Sequence, residues 1–265
     1  MVKSTQTIKF LKGDIYTGEV KDGAPCGKGK LNYANGDIYV GDFVSLPNGS
    51  ILNGMGLFTH ANGSWCKGVF KNNNFVGGTM YSKFSNGGFY EGGARALETD
   101  VVGASGHCYE QGQGKLTYAD GSVYIGTFDS GKCHGKGKLT RPNGTCCEGE
   151  FKNGEFAAGK KTFENGAFFE GEFCGGKFAR GVALIKYDTG TVYNGEYAND
   201  KYKGKGKLSW ASGNVYEGEF FDSRYYGHGK LTLANGMIYE GEFSNGKFIE
   251  PLKNEGRLGS PCVLL

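Results

Sequence analysis

The chain lacks several features that would assign it to common protein classes. No run of about 18 apolar residues occurs, so no segment is predicted to span a membrane. The N-terminal residues Met1-Val2-Lys3-Ser4 contain no apolar signal segment. The eight cysteines include no Cys-x-x-Cys pair, which predicts reduced thiols in a cytoplasmic protein without a metal site. Basic and acidic residues number 30 and 27, and the net charge of +3 is too small to indicate nucleic acid as a partner.

Glycine, in contrast, is abundant and regularly placed. The chain has 49 glycines among 265 residues, and they recur in register. A Tyr-x-Gly-Glu-Phe pattern, clearest from Tyr216 to Phe220, returns about every 23 residues. A fixed period of this length indicates a repeat architecture in which each unit contacts mainly its neighbours. The Tyr position of successive units is occupied by Tyr16, Tyr39, Cys66, Tyr90, Tyr124, Cys147, Phe169, Tyr193, Tyr216 and Tyr239.

Each unit has the pattern of a β-hairpin. The Tyr, Gly and Phe positions are spaced by two, so they share one face of a strand, and a return segment such as Gly27 to Tyr33 has the same alternation. Asn-Gly pairs such as Asn35-Gly36 close the units and favour type I′ turns. We therefore predict an all-β fold: an elongated, curled single antiparallel sheet of tandem hairpins with about twenty strands. The mid-strand glycines are expected to leave room for a ring from the neighbouring strand.

The period also predicts the domain organisation. Residues 1–6 form an N-terminal tail, residues 7–250 form nine complete units with partial units at the ends, and residues 251–265 form a flexible C-terminal tail. Insertions near residues 45–53 and 96–108 interrupt the period. Such insertions map to loops at one edge of a repeat array. We expect the irregular N-terminal half to carry partner-specific surface.

The repeated Tyr-x-Gly-Glu and Gly-x-Gly motifs resemble the MORN repeat (membrane occupation and recognition nexus), and the resemblance covers roughly residues 7–250. It implies an extended, curled antiparallel sheet of hairpins. It also implies a scaffold, a dimerising rod at membranes or cytoskeletal structures, or an appendage beside an enzymatic domain. No residues remain here for such a domain, so we expect neither enzymatic activity nor a cofactor.

The last four residues, Cys262-Val263-Leu264-Leu265, form a CaaX-like box of the geranylgeranyl type. This motif predicts prenylation of Cys262 and a peripheral location on the cytosolic face of a membrane. The alternative is that the tail is merely apolar. One lipid chain anchors a protein only marginally. A second source of membrane affinity would therefore have to come from the repeats, a dimer or a partner.

Lysines alternate with the paired glycines and project away from the Tyr and Phe face. They are interpreted in two ways: as a ladder for anionic lipid headgroups, or as cross-strand partners of the glutamates on the same face, such as Glu19, Glu150 and Glu196. The second interpretation is favoured because the net charge is small. The candidate headgroup face consists of Lys28, Lys30, Lys136, Lys138, Lys205 and Lys207.

Taken together, these patterns predict a non-enzymatic scaffold that presents an aromatic groove to a protein partner while its prenylated C-terminus holds it at a membrane. The alternative function is a phosphoinositide-binding or anionic-lipid-binding module that uses the lysine face. We expect an exposed aromatic face to be covered by another molecule, and a homodimer is one way to cover it. The predicted groove is lined by Tyr16, Tyr39, Tyr90, Tyr124, Phe169, Tyr193, Tyr216 and Tyr239.

Overall fold

The computed structural model describes residues 4–47, 49–96 and 108–249. These residues form 21 strands, and none of them is helical. The predicted all-β fold of tandem antiparallel hairpins is confirmed. The strands are β1 (Ser4–Lys9), β2 (Ile15–Lys21), β3 (Ala24–Asn32), β4 (Ile38–Leu46), β5 (Gly49–Thr59), β6 (Trp65–Lys71), β7 (Asn74–Lys83), β8 (Phe89–Ala96), β9 (Cys108–Thr117), β10 (Val123–Asp129), β11 (Lys132–Thr140), β12 (Cys146–Lys152), β13 (Glu155–Thr162), β14 (Phe168–Cys174), β15 (Lys177–Lys186), β16 (Val192–Ala198), β17 (Lys201–Ser209), β18 (Val215–Phe221), β19 (Arg224–Thr232), β20 (Ile238–Ser244) and β21 (Lys247–Phe248).

The chain divides into two compact units. The first comprises Met1–Gly166 with Glu172–Lys177, and the second comprises Ala167–Gly171 with Phe178–Leu265. In the first unit, each strand from β1 to β13 pairs with the next strand of the chain. In the second unit, the strands from β15 to β21 do the same. In each unit, one face of the strands carries the buried aromatic residues (the core face), and the other carries mostly charged residues (the outer face).

Two kinds of turn alternate along the chain, and the sequence-based assignment of them was wrong. At Asn35-Gly36 the amide of Gly36 donates to the carbonyl of Tyr33 (3.0 Å), and only Gly36 has a positive φ, at 90°. This is a three-residue loop, a type I turn followed by a left-handed glycine, which does not require positive φ at the asparagine. The type I′ geometry occurs at the opposite end of the strands, where Asp22 and Gly23 have φ values of 52° and 78°.

The three-residue turns are linked from one repeat to the next. The Asp14 carboxylate accepts a hydrogen bond from the amide of Ala34 (2.9 Å), and Asp37 accepts one from Ala61 (2.8 Å). Asn214 performs the same role for Ala234 (2.8 Å) in the second unit. Each turn therefore satisfies a backbone donor of the turn that follows it, which helps to hold successive hairpins in register.

The mid-strand glycines accommodate tyrosine rings. Gly18 on β2 faces Gly29 on β3 across the hairpin, and the ring of Tyr16 lies over both. A methyl group at Gly29 would lie 2.6 Å from Cζ of Tyr16, closer than atoms can approach. The prediction of a ring from the neighbouring strand is confirmed for Gly29, whereas Gly18 lies under a ring from its own strand. The tyrosine hydroxyl then donates to the carbonyl of Glu19 at 2.7 Å.

Hairpins without the tyrosine adopt a different backbone. Where Cys66 replaces it, the facing glycines Gly68 and Gly78 have φ values of 159° and 155°. Where Cys147 replaces it, the paired Gly149 has a φ of 152°. Side-chain-bearing residues rarely adopt this conformation. Glycine is thus required in both kinds of hairpin, by a covering ring in one and by backbone conformation in the other.

Candidate functional site

The tyrosines proposed as a groove lie inside the protein. Tyr16, Tyr39, Tyr90, Tyr124, Tyr193 and Tyr216 are all 0% exposed, whereas Phe169 and Tyr239 are half-buried. The structure therefore makes the first six core residues, and other side chains form the surface of this face. Sequence periodicity identified the face to which these rings belong, but it does not reveal which residues remain accessible on it.

The buried rings form runs of edge-to-face contacts that connect successive hairpins. The ring centroid of Phe43 lies 4.9 Å from Tyr16 of the preceding hairpin and 5.3 Å from Tyr39 of its own. Phe220 is placed in the same way, 5.4 Å from Tyr193 and 5.1 Å from Tyr216. Such pairs contribute about 0.5–1.5 kcal/mol beyond the area they bury. Phe43 and Phe220 thus each join the tyrosines of two successive repeats.

Burial also changes the acidity of the tyrosines. It is the main cause that raises the pKa of Tyr16, Tyr39, Tyr124 and Tyr216 to about 12, with nearby acidic groups adding to the effect. The hydroxyls remain protonated donors, and that of Tyr216 lies 2.9 Å from the carbonyl oxygen of Glu219. These groups are therefore structural donors at neutral pH.

An open cavity of about 530 Å³ lies on the core face of the first unit. Apolar side chains dominate its lining, and Phe10 at one side is 40% exposed. The predicted insertion near residues 45–53 contributes Gly49, Ser50 and Leu52 to one wall, so the irregular segment does line a concave surface. We call this cavity the N-terminal groove; its lining is Phe10, Tyr16, Gly23, Ala24, Pro25, Leu31, Tyr33, Phe43, Gly49, Ser50, Leu52 and Asn73.

Polar groups fix the wall of the N-terminal groove. The Ser50 hydroxyl donates to the carbonyl of Pro25 (2.8 Å), and the Asn73 side-chain oxygen accepts from the amide of Leu52 (2.7 Å). Tyr33 is half-buried beside Phe58, with 5.7 Å between ring centroids. Among the described residues, no hydrogen bond involves the Tyr33 hydroxyl, which leaves it able to donate to a bound molecule. The alternating pattern of the return strand gave no sign that Tyr33, unlike Tyr16, remains accessible.

On the outer face, the candidate lysines are opposed by acids in most hairpins. Lys138 lies 3.1 Å from Glu148, Lys207 lies 3.4 Å from Glu217, and Lys28 lies 2.5 Å from Asp42. Lys136 and Lys205 face Glu150 and Glu219 across the strand register. Lys30 differs, because it faces Val40 on β4 and Thr17 on β2. Cross-strand charge pairing thus accounts for most of the ladder.

The glutamate of the Tyr-x-Gly-Glu motif has a role that the sequence pattern did not predict. Glu19 accepts a hydrogen bond from the backbone amide of Lys28 (3.2 Å), and Glu196 accepts one from that of Lys205 (3.0 Å). Each carboxylate lies against a glycine with a positive φ, 58° at Gly27 and 56° in the second unit. The acid therefore caps an irregular point in the ladder, in addition to any interaction with a lysine side chain.

The remaining chemical features concern metal ligands, membrane-spanning helices and cysteines. Within residues 4–47, 49–96 and 108–249, no group of three or more histidine, cysteine or acidic side chains is arranged to hold a metal ion. In the same ranges, no helix long and apolar enough to cross a membrane is found. Burial raises the pKa of the Cys133 and Cys147 thiols. Cys262 and residues 97–107 of the second insertion lie outside the described residues.

A family model described as MORN repeat matches seven segments of the chain: residues 16–38, 109–123, 124–146, 147–168, 193–215, 216–238 and 239–248. No curated protein matches the chain.

Among solved structures, the TCP10 domain of Danio rerio CPAP in complex with a STIL peptide is 13% identical. That alignment covers 92% of this chain and 99% of the domain, with a TM-score of 0.27. The SAS-4 (dCPAP) TCP domain of Drosophila melanogaster, in complex with a proline-rich motif of Ana2, is 12% identical, with 90% of each chain covered and a TM-score of 0.21. Similarities this low carry no argument about function.

The raised tyrosine pKa values predict a specific loss of stability in alkali. A tyrosine has a pKa near 10 in an unfolded chain and about 12 at these positions, so the folded state holds more protons between these values. The free energy of unfolding should be unaffected by these groups below about pH 10 and should fall between about pH 10 and 12. Chemical denaturation across this range, with phenolate absorbance recorded in parallel, measures both quantities.

The Tyr216→Phe variant provides the matched control, because it leaves every other titratable side chain in place. It removes one tyrosine with a raised pKa, so its free energy of unfolding should fall less steeply with pH. The interpretation would be wrong if the unmodified protein and Tyr216→Phe lost equal stability between about pH 10 and 12.

Proposed function

We propose that this chain, which belongs to the MORN repeat family, is a non-enzymatic scaffold that binds a protein partner on the cytosolic face of a membrane. Repeats of this family are associated with protein interaction and membrane-associated scaffolds, and the family is generally non-enzymatic. The observation that supports the proposal best is the N-terminal groove. It is concave and largely apolar, and its wall contains the segment that interrupts the repeat.

The groove suits an extended segment of a partner that inserts apolar side chains. Phe10, Leu31 and Leu52 provide apolar contact, and Tyr33 offers a hydroxyl donor that can fix the segment's orientation. Pockets with mostly apolar walls and a few positioned polar groups are typical binding sites. The hydrogen-bonded Ser50 and Asn73 hold the wall in place, so little ordering entropy is lost on binding.

A photo-crosslinking residue at position 33 tests the groove in cells. The same residue at position 210 is the matched control, because Trp210 occupies the equivalent repeat position in the second unit. We expect position 33 to capture a partner that position 210 does not capture. The Tyr33→Ala variant should then bind the purified partner about tenfold more weakly or worse, as is usual for a central aromatic contact, whereas Trp210→Ala should bind normally.

Three outcomes would contradict the groove proposal. These are equal capture at both positions, normal binding by a Tyr33→Ala variant that remains folded by circular dichroism, and capture of a second copy of this chain. The last would indicate that a homodimer occupies the groove.

The membrane part of the proposal rests on prenylation of Cys262. Lipid modification would supply marginal membrane affinity, and the bound partner would supply the second contact that stable anchoring requires.

Mass spectrometry of the C-terminal peptide from native cells should show the lipid. Liposome flotation should require modified Cys262 and should be lost in Cys262→Ser. Salt-sensitive flotation of Cys262→Ser would instead support direct binding of anionic lipid by the lysine face, because such binding weakens as salt screens the charges.

A further inference from the structure

One part of the outer face departs from the charged pattern. On β4, β5 and β6 of the first unit, Val40, Met55 and Val69 are 46%, 53% and 46% exposed, and half-buried Leu57 lies among them. We call these four residues the outer patch. Scattered exposed apolar residues are ordinary on protein surfaces, but a contiguous group on an otherwise charged face indicates a site of interaction.

The register shows which charges the outer patch replaces. From β17 to β20 of the second unit, the corresponding row is charged, with Lys207 facing Glu217 and Lys230 facing Glu240. In the first unit, Val40 faces Leu57 and Met55 faces Val69. The strands pair in the same way whether these positions are charged or apolar, so strand pairing does not require the apolar residues.

The outer patch surrounds a depression of about 320 Å³. Backbone atoms of Gly29, Gly41 and Gly56, which face one another across β3, β4 and β5, form its floor. Val40, Met55 and Leu57 form its walls. A single apolar side chain can enter a depression of this kind and displace water from its walls, which is the usual geometry of a strong contact in a protein interface.

Positive charge surrounds the outer patch. Lys28 and Lys67 line the depression, and Lys30 faces Val40 at its edge. Lys28 is paired with Asp42, but within the described ranges neither Lys30 nor Lys67 forms an ion pair. The two unpaired lysines, above an apolar depression, are complementary to an occupant that carries both negative charge and an apolar side chain.

We propose that the outer patch binds an acidic segment of a partner protein, with one apolar side chain of that segment in the depression. A second copy of this chain is disfavoured, because a symmetric contact would place Lys28, Lys30 and Lys67 against themselves. A membrane surface is disfavoured, because the patch has no tryptophan or other aromatic residue of the kind that anchors proteins at lipid interfaces. The outer patch and the N-terminal groove are different surfaces, so this inference does not depend on the groove.

Selection from a display library of random linear peptides, with the full chain as target, tests this proposal. Enriched peptides should be acidic with a recurring apolar residue, and their affinity should fall as salt concentration rises. The triple variant Val40→Glu/Leu57→Lys/Lys67→Glu restores the charged pattern of the second unit. It should bind these peptides about tenfold more weakly or worse, because both the apolar contact and the free lysine are lost.

Two controls separate the outer patch from other surfaces. The pair-reversed variant Lys207→Glu/Glu217→Lys changes residues at the equivalent outer-face positions of the second unit and should bind the peptides normally. Tyr33→Ala alters the groove and should also bind them normally. Four results would overturn the proposal: no acidic peptides enriched, equal binding by the triple variant, peptide binding lost in Tyr33→Ala, or phosphatidylserine vesicles bound in place of peptides with the same dependence on the triple variant.

Discussion

The fold depends on one contact that the chain makes repeatedly: a tyrosine ring packed over two glycines that face each other across a hairpin. The ring can lie there only because neither glycine has a side chain, and its hydroxyl is held by a carbonyl three residues along the same strand. Burying a tyrosine is favourable only when its hydroxyl finds such a partner. The same bond joins Tyr39 to Asp42, Tyr90 to Gly93, Tyr124 to Thr127 and Tyr193 to Glu196.

Contacts between repeats extend this local arrangement within each unit. A phenylalanine such as Phe43 touches the tyrosines of two successive hairpins, and a turn carboxylate such as Asp14 accepts from the next turn. Both contacts connect neighbouring repeats. This is expected for a repeat array, whose stability is close to the sum of the stabilities of the single repeats and of the interfaces between neighbours. Since these contacts do not involve the outer face, its residues can vary wherever they do not cap the backbone as Glu19 does. Val40 and Leu57 show such variation in the first unit, where the second retains Lys207 and Glu217.

Much of the fold could be predicted from the sequence, because the period of two within strands and of about 23 between units reflects backbone geometry directly. The turn types were misassigned, since an Asn-Gly pair fits both a type I′ turn and the three-residue loop found at Asn35-Gly36. The site was less predictable. Periodicity gives the face of Tyr16 and of Tyr33 equally, yet only packing decides that the first is fully buried and the second remains partly exposed in the groove. The role of Glu19 as a backbone cap depends on an irregularity in the ladder that no motif indicates.

A double-mutant cycle at Tyr216 and Gly229 tests the central contact most directly. The ring of Tyr216 occupies the space that a methyl group at Gly229 would need. Gly229→Ala should therefore lower the free energy of unfolding by about 1–3 kcal/mol, the usual cost of overpacking. In a Tyr216→Leu background, which removes the ring, the same change should cost much less, giving a coupling energy of similar size. An equal cost in both backgrounds would show that backbone pairing alone requires the glycine, and would contradict the account.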